Sequence, residues 1–69
     1  MKLNDEQIVS DANELAREFY LAHGYQVPAS FCFYMSKHPQ EQLMWRLACL
    51  AYERLRDTPV DDALANISE

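Results

Sequence analysis

Glycine and proline are scarce in this chain of 69 residues, which has one glycine and three prolines. A β-rich fold needs many tight turns, and these two residue types supply most of them. No apolar run approaches the roughly 20 residues that a membrane-spanning helix needs. The first residues, MKLNDEQIVSD, are too acidic and polar for a signal peptide. We therefore expect a helical protein of the cytoplasm that has no contact with a membrane.

Basic residues are also few: six Lys and Arg stand against eleven Asp and Glu, for a net charge of −5. The charges are spread along the chain and form no basic stripe that would neutralise phosphates, so we expect no direct binding to nucleic acid. The acidity is explained most simply by its effect on solubility. Attraction to a basic partner is the alternative.

The sequence lacks the motifs of common catalytic sites: it has no Gly-rich phosphate loop, no G-x-S-x-G and no H-E-x-x-H. His23 and His38 each adjoin a predicted helix end, where a structural role is expected. Glu41 and Glu53 are three turns apart on one helix, too far to act as an acid–base pair. We predict that the protein is not an enzyme and that it has neither catalytic residues nor a cofactor.

The chain has two cysteines, Cys32 and Cys49. A disulfide would brace a small fold, but cytosolic thiols stay reduced. A zinc site could draw on both cysteines together with His23 and His38. No pair of these residues has the close C-x₂₋₄-C or H-x₃₋₅-H spacing that supports such a site. We predict free cysteines, with Cys49 buried, and no bound metal.

The first helical segment is predicted from the capping residue Asn4 to His23, with Gly24 ending it in a positive-φ conformation. Its apolar residues recur at spacings of 4, 3, 4 and 3, which is typical of a helix–helix seam. The seam consists of Ile8, Ala12, Leu15, Phe19 and Ala22, flanked by Val9, Ala16 and Tyr20. The opposite face is charged.

The second helix, the longest apolar-rich stretch, is predicted from Pro39 to Asp57. Proline suits a first helical position, because its missing N–H would have no partner there. The helix carries three apolar rows: Met44, Ala48, Ala51 and Leu55; Leu43, Leu47 and Leu50; and Trp45, Cys49 and Tyr52. The first helix can cover one row and part of another. The second helix therefore needs neighbours on more than one side.

A third, short helix is predicted after Thr58 as cap and Pro59 as first residue. Its apolar residues are Val60, Ala63, Leu64 and Ile67. Together these patterns predict an all-α protein forming one domain over residues 1–69. Its fold would be an antiparallel pair of long helices, a helical hairpin, with a short C-terminal helix.

The connector from Tyr25 to His38 is open to several interpretations. Val27 precedes a proline and should be extended or in a turn. The apolar run FCFYM has a period compatible with a strand or a helical turn; an extended or single-turn connector packed across the helix pair is favoured. Its aromatic residues either fill the core or form a patch open to a partner, whose candidates are Phe31, Phe33 and Tyr34.

The surplus of apolar rows on the second helix predicts self-association. A chain this short buries a thin core, and a two-fold dimer hides an apolar patch economically because one surface serves both copies. We therefore expect a homodimer with the second helix at its interface. The candidate interface residues are Leu43, Met44, Trp45, Leu47, Leu50 and Tyr52.

The order of segments resembles a known family. A capped acidic helix ends in AHGYQVP, and the connector FCFYMSKHPQEQ, the apolar helix LMWRLACLAYERL and the tail TPVDDAL follow. This order resembles the small early-region accessory proteins of lambdoid phages, the short open reading frames between the recombination and excision genes. The similarity covers nearly the whole chain and is most specific in HGY…FY…HPQE…W, residues 23–45. The resemblance implies a small, helical, non-enzymatic protein associated with host physiology and the lysis–lysogeny choice, and it supplies no catalytic residues.

We expect, on these grounds, a protein-interaction module that binds a host protein in the host cytoplasm. A structural or regulatory subunit of a larger complex, with its apolar helix covered by a different chain, is the alternative. A DNA-binding regulator is disfavoured, because PQEQLMW offers Gln40 and Gln42 but no arginine before Arg46 at the start of a would-be recognition helix.

Overall fold

The computed structural model describes residues 4–28 and 30–68. Over these residues the chain forms three α-helices, one turn of 3₁₀ helix and no strand. Helix α1 spans Asp5–Ala22, α2 spans Pro39–Arg56 and α3 spans Val60–Ser68, while the 3₁₀ turn spans Phe33–Met35. The predicted all-α class is confirmed. None of the helices over the described residues combines the length and the apolar content that a membrane span requires.

Both ends of α1 follow from the local sequence. The side-chain Oδ1 of Asn4 accepts a hydrogen bond from the backbone N–H of Gln7 at 2.7 Å, which satisfies one free donor of the first turn. At the other end Gly24 has a φ of +94°. Its N–H donates to the carbonyl of Leu21, and the N–H of Tyr25 donates to that of Tyr20. This pair of bonds is a Schellman motif, so the predicted cap and positive-φ glycine are confirmed.

The buried face of α1 is rotated from the predicted seam. The fully buried residues are Ile8, Val9, Ala12, Ala16 and Tyr20. Leu15 and Phe19, predicted to be central, are half-buried at the edge, and Ala22 is exposed. The reason is that α1 packs against both α2 and α3, so the predicted flank lies between two neighbours instead of beside one.

Helix α2 begins at Pro39, as predicted, and ends one residue earlier than predicted. The Nδ1 atom of His38 accepts a hydrogen bond from the N–H of Gln40 at 3.3 Å and caps the first turn. Asp57 follows the last helical residue with a φ of 52°, in the left-handed region. Helix α3 begins at Val60, so Pro59 precedes the helix instead of opening it.

The core consists of two adjoining clusters of buried side chains. One joins the first half of α1 to α3 and the second half of α2; it contains Ile8, Val9, Ala12, Cys49, Tyr52, Val60 and Ala63. The other joins the second half of α1 to the 3₁₀ turn and the first half of α2; it contains Ala16, Tyr20, Phe33, Met44 and Ala48. Trp45 packs against both clusters. Small alanine side chains of α1 lie in both clusters, and Ala63 of α3 and Ala48 of α2 each add one to a single cluster.

The connector is held in place by the side-chain amide of Asn13, in the middle of α1. Its Nδ2 donates to the carbonyl of Phe31 at 2.7 Å, and its Oδ1 accepts from the N–H of Phe33 at 2.8 Å. One amide thus satisfies two backbone groups that neighbouring chain segments would otherwise have to pair. In its described residues the connector contains one turn of 3₁₀ helix, and Phe33 at the start of that turn is 0% exposed.

The carboxylate of Glu41, in the first turn of α2, joins the connector to both long helices. It accepts hydrogen bonds from the hydroxyl of Ser36 and, at 3.2 Å, from the hydroxyl of Tyr20 on α1. Burial and this bond to Glu41 both raise the pKa of Tyr20. In the first half of α1, Asp11 accepts a hydrogen bond from the hydroxyl of Tyr52 at 3.4 Å. These bonds tie each half of α1 to a different end of α2.

Replacing Asn13 by alanine should destabilise the fold by about 2 kcal/mol or more, because two hydrogen bonds are lost and the N–H of the buried Phe33 is left without a partner. Urea unfolding followed by circular dichroism measures the change. Asn66→Ala, which removes an exposed amide from α3, is the matched control and should change stability little. Equal urea midpoints for the Asn13 variant and the wild type would contradict this role of the amide.

Gly24→Ala should destabilise by about 1 kcal/mol, because alanine pays for the left-handed backbone that glycine adopts freely. No atom lies within 4 Å of the added Cβ, so the cost comes from the backbone and not from a clash. For a chain of this size the melting temperature should fall by roughly 4–8 °C. Gly24→Asn should cost less, since asparagine tolerates this conformation. A larger loss for Asn than for Ala would argue against this explanation.

Candidate interaction surface

Three leucines on α2 are exposed together. Leu43 is 50% exposed, Leu47 40% and Leu50 52%. Their spacing of four and three residues places them in one line along two turns of helix, as in the seam of a coiled coil. We refer to Leu43, Leu47 and Leu50 as the leucine face.

The leucine face is outside the core because α2 buries a different side. Its buried residues are Met44, Ala48, Cys49 and Tyr52. Of the three rows predicted from the sequence, the rows containing Met44 and Cys49 supply the core, and the leucine row is left over. Leu55, at the end of the Met44 row, is 81% exposed because it lies in the last turn of the helix.

Three of the six predicted interface residues do not form an open surface. Met44 is 2% exposed and Tyr52 5% exposed, so both belong to the core of the single chain. Trp45 is half-buried, with its ring 5.3 Å from that of Tyr34. The sequence pattern placed all three on apolar rows but could not tell which rows α1, α3 and the connector would cover. The candidate surface is therefore reduced to the leucine face.

Of the two interpretations of the connector aromatics, burial favours core filling over a patch open to a partner. Phe33 is 0% exposed and packs edge-on against the rings of Tyr20 and Phe31. Phe31 and Tyr34 are half-buried against the core. These aromatic side chains mainly fill space between the long helices, because the amide of Asn13 draws the connector onto α1.

A groove of about 530 Å³ borders the leucine face on the side of α3. Leu43, Leu50 and Trp45 line its apolar part, and Arg46, Glu53 and Asp61 line its charged part. Arg46 and Glu53 lie two helical turns apart along one edge of α2. Neither forms an ion pair with another described residue, since the one salt bridge within the described ranges joins Arg17 to Glu14 at 2.6 Å.

A second, smaller groove of about 310 Å³ lies between α1 and the end of α2. Three acidic side chains, three apolar or aromatic ones and one arginine line it: Asp11, Glu14, Leu15, Glu18, Tyr52, Leu55 and Arg56. The guanidinium group of Arg56 lies 5.9 Å from the centre of the Tyr52 ring. Acidic side chains around apolar ones suit a partner with basic and apolar groups.

The cysteines and histidines lie apart and have local contacts. Both thiols are free; Cys49 is buried and Cys32 half-buried. The ring of His23 bonds the carbonyl of Phe19 at 2.8 Å, and His38 caps α2. Among the residues that the structure describes, no three His, Cys, Asp or Glu side chains are grouped so that they could hold a metal ion.

Asn13 and the pair Arg46 and Glu53 are the residues whose positions sequence reasoning did not anticipate. Asparagine in a helix interior competes with the helical backbone for hydrogen bonds, so its presence between Ala12 and Glu14 was a usable signal. The position of Arg46 and Glu53 on one edge of an exposed surface can be recognised only when the leucine face is known to be uncovered.

The described chain is thus all-helical, with the exposed leucine face on α2. Comparison with family models, with curated proteins and with solved structures found no match for this chain.

Cys49 should make the fold sensitive to alkali. Burial, together with the carboxylates of Asp61 and Glu53, raises the pKa of its thiol from 9.0 to about 12. The unfolded chain then loses the thiol proton at a lower pH than the folded chain. The stabilising effect is complete below pH 9 and is lost as the pH rises toward 12. Urea unfolding across this range measures the loss.

The matched variants Cys49→Ala and Cys32→Ala distinguish the contributions of the two thiols to the alkaline loss of stability. Tyr20 and Tyr52 also have raised pKa values, so part of the alkaline loss should persist in both variants. Cys49→Ala should show a shallower fall of stability with pH than the wild type, and Cys32→Ala the same fall. An unchanged slope in Cys49→Ala would show that this thiol titrates alike in the folded and unfolded chains.

Proposed function

We propose that this chain is a small, non-enzymatic protein-interaction module that forms a homodimer through the leucine face and binds a further protein with its remaining surface. The observation that carries the proposal is the alignment of three half-exposed leucines on the central helix. Soluble monomers seldom leave aligned large apolar side chains uncovered.

The proposed fold of each copy is an antiparallel pair of long helices with α3 packed beside it. Two hydrogen bonds support this pairing: Tyr20, near the end of α1, bonds Glu41 at the start of α2, and Tyr52, late in α2, bonds Asp11 in the first half of α1. In this arrangement the leucine face lies on the side of α2 opposite to α1. A second copy can contact it there.

The energy available from the leucines indicates a weak dimer. Full burial of a leucine contributes about 1.5–3 kcal/mol, so a half-exposed leucine has about 1 kcal/mol still to gain. The leucine faces of two copies together would then supply about 6 kcal/mol, which is at the low end of the estimated cost of association. Contacts at the edges of the leucine face must therefore contribute for the dimer to be populated.

The proposed partner is a host protein, and the proposed setting is the cytoplasm of an infected bacterium, where the chain would act as a phage or prophage accessory factor in the lysis–lysogeny choice. The resemblance of residues 23–45 to early-region phage proteins supports the setting. The acidic groove around Asp11, Glu14 and Glu18 supports a basic protein partner.

Size-exclusion chromatography with light scattering tests the dimer. Through the micromolar range and above, the average mass of the wild type should rise with concentration from the monomer mass of 8.1 kDa toward twice that value. Leu47→Glu should prevent dimerisation, because it would bury a charge in the interface. The variant should still fold into a helical monomer, because Leu47 is 40% exposed in the single chain. Leu55→Glu, on the same helix but outside the leucine face, should remain dimeric. A wild type of 8.1 kDa at every concentration would rule out the dimer and favour coverage of the leucine face by a different chain.

Affinity purification from a bacterial lysate, with mass spectrometry of the captured proteins, tests the partner. Wild-type bait is compared with Glu14→Lys and Glu18→Lys baits, each of which reverses one acidic charge of the smaller groove without touching the leucine face. A specific basic partner should be lost from both variant baits. Equal capture by all three baits would contradict a role for the acidic groove.

A further inference from the structure

We infer that the two α2 helices of the dimer run antiparallel to each other and that Arg46 of each copy forms an ion pair with Glu53 of the other. This inference rests on the homodimer proposed above and specifies its geometry. The juxtaposition behind it is an uncovered leucine face bordered, along one edge, by one unpaired basic and one unpaired acidic side chain.

The ends of the leucine face favour an antiparallel pair. The seven-residue pattern continues to Gln40 before Leu43 and to Arg54 after Leu50. In an antiparallel pair centred between Ala48 and Cys49, each Leu47 meets Leu50 of the other copy. Each Leu43 then meets the aliphatic stem of Arg54 of the other copy, whose charged end can stay in water.

A parallel pair of α2 helices would give less favourable contacts. Each residue of the seam would face its own copy, so the two Arg54 side chains would meet as like charges, which is destabilising. Arg46 would lie opposite Ala51, with no acidic group to bond. The antiparallel pair avoids both faults.

The charged edge of the leucine face also favours an antiparallel pair. Arg46 and Glu53 are separated by two turns on the same edge, and in an antiparallel two-fold pair that edge meets itself. Arg46 of one copy is then opposite Glu53 of the other, twice by symmetry. Coiled coils use flanking pairs of this kind to set the orientation of their helices.

Both side chains are available for the pairing. Within the described ranges neither has an ion-pair partner of its own, and both line the open groove beside α3. On the opposite edge Met44 is buried in the core of its own chain, and Ala51 is half-buried and small enough for a second helix to approach closely. The two edges thus fit a second copy of this chain: one edge is self-complementary in charge, and the other presents a small uncharged side chain.

Charge reversal tests the ion pairs. Dissociation constants are measured by analytical ultracentrifugation for Arg46→Glu, Glu53→Arg and the double variant. Each single reversal should weaken the dimer by on the order of tenfold or more, and the double variant should return close to the wild type, since the pairs are restored with opposite polarity. Arg56→Glu and Glu18→Arg make the same changes of net charge away from the leucine face and should leave the constant unchanged.

Disulfide trapping gives an independent reading of direction. In a chain with Cys32→Ser and Cys49→Ala, one batch carries Leu47→Cys and another, of different mass, carries Leu50→Cys. After mixing and mild oxidation, the antiparallel dimer should give chiefly the mixed disulfide between the two batches. A parallel dimer would give chiefly disulfides within each batch.

The outcomes separate the geometry from the proposed function. A wild-type dimer whose double charge variant is no better than the singles, or whose disulfides form within each batch, would overturn the antiparallel inference and leave the homodimer standing. A wild type that is monomeric at all concentrations would overturn both.

Discussion

The amide of Asn13 is the contact on which the arrangement of the chain most depends. The connector between the two long helices carries its polar backbone across their apolar surfaces. Backbone N–H and C=O groups that become buried there need hydrogen-bond partners. The two hydrogen bonds from Asn13 to Phe31 and Phe33 supply them. They hold the ring of Phe33 between the helices, where it completes the cluster formed with Tyr20 and Met44.

That placement determines which side of α2 remains uncovered. The connector aromatics cover α2 near Met44, and α3 covers it near Cys49 and Tyr52. Every element that the described chain provides is then used on the same half of the helix circumference. The leucine face is what remains, and its charged edge beside α3 is open as well. The proposed interaction surface is thus a direct result of how a short chain distributes a limited amount of apolar cover.

The sequence was informative where local chemistry decides the structure. The cap at Asn4, the glycine at the end of α1 and the start of α2 at Pro39 could all be predicted, because capping and left-handed termination depend on a few neighbouring residues. The existence of three apolar rows on α2 was predictable from periodicity. The choice among the rows was not, since Met44 and Tyr52 look as suitable for an interface as Leu47 until the positions of α3 and the connector are known. The rotation of the buried face of α1 could not be predicted for the same reason, since it depends on where α3 packs. Arg46 and Glu53 could be identified as a candidate pair only once the leucine row was known to be exposed.

Trp45, the only tryptophan of the chain, has an unusual position in this arrangement. It packs against both halves of the core and also lines the groove next to the leucine face. Its fluorescence will therefore respond both to loss of the fold and to anything that closes the groove. In an optical titration of this protein, unfolding and association share one signal, and the dependence on chain concentration is what distinguishes them.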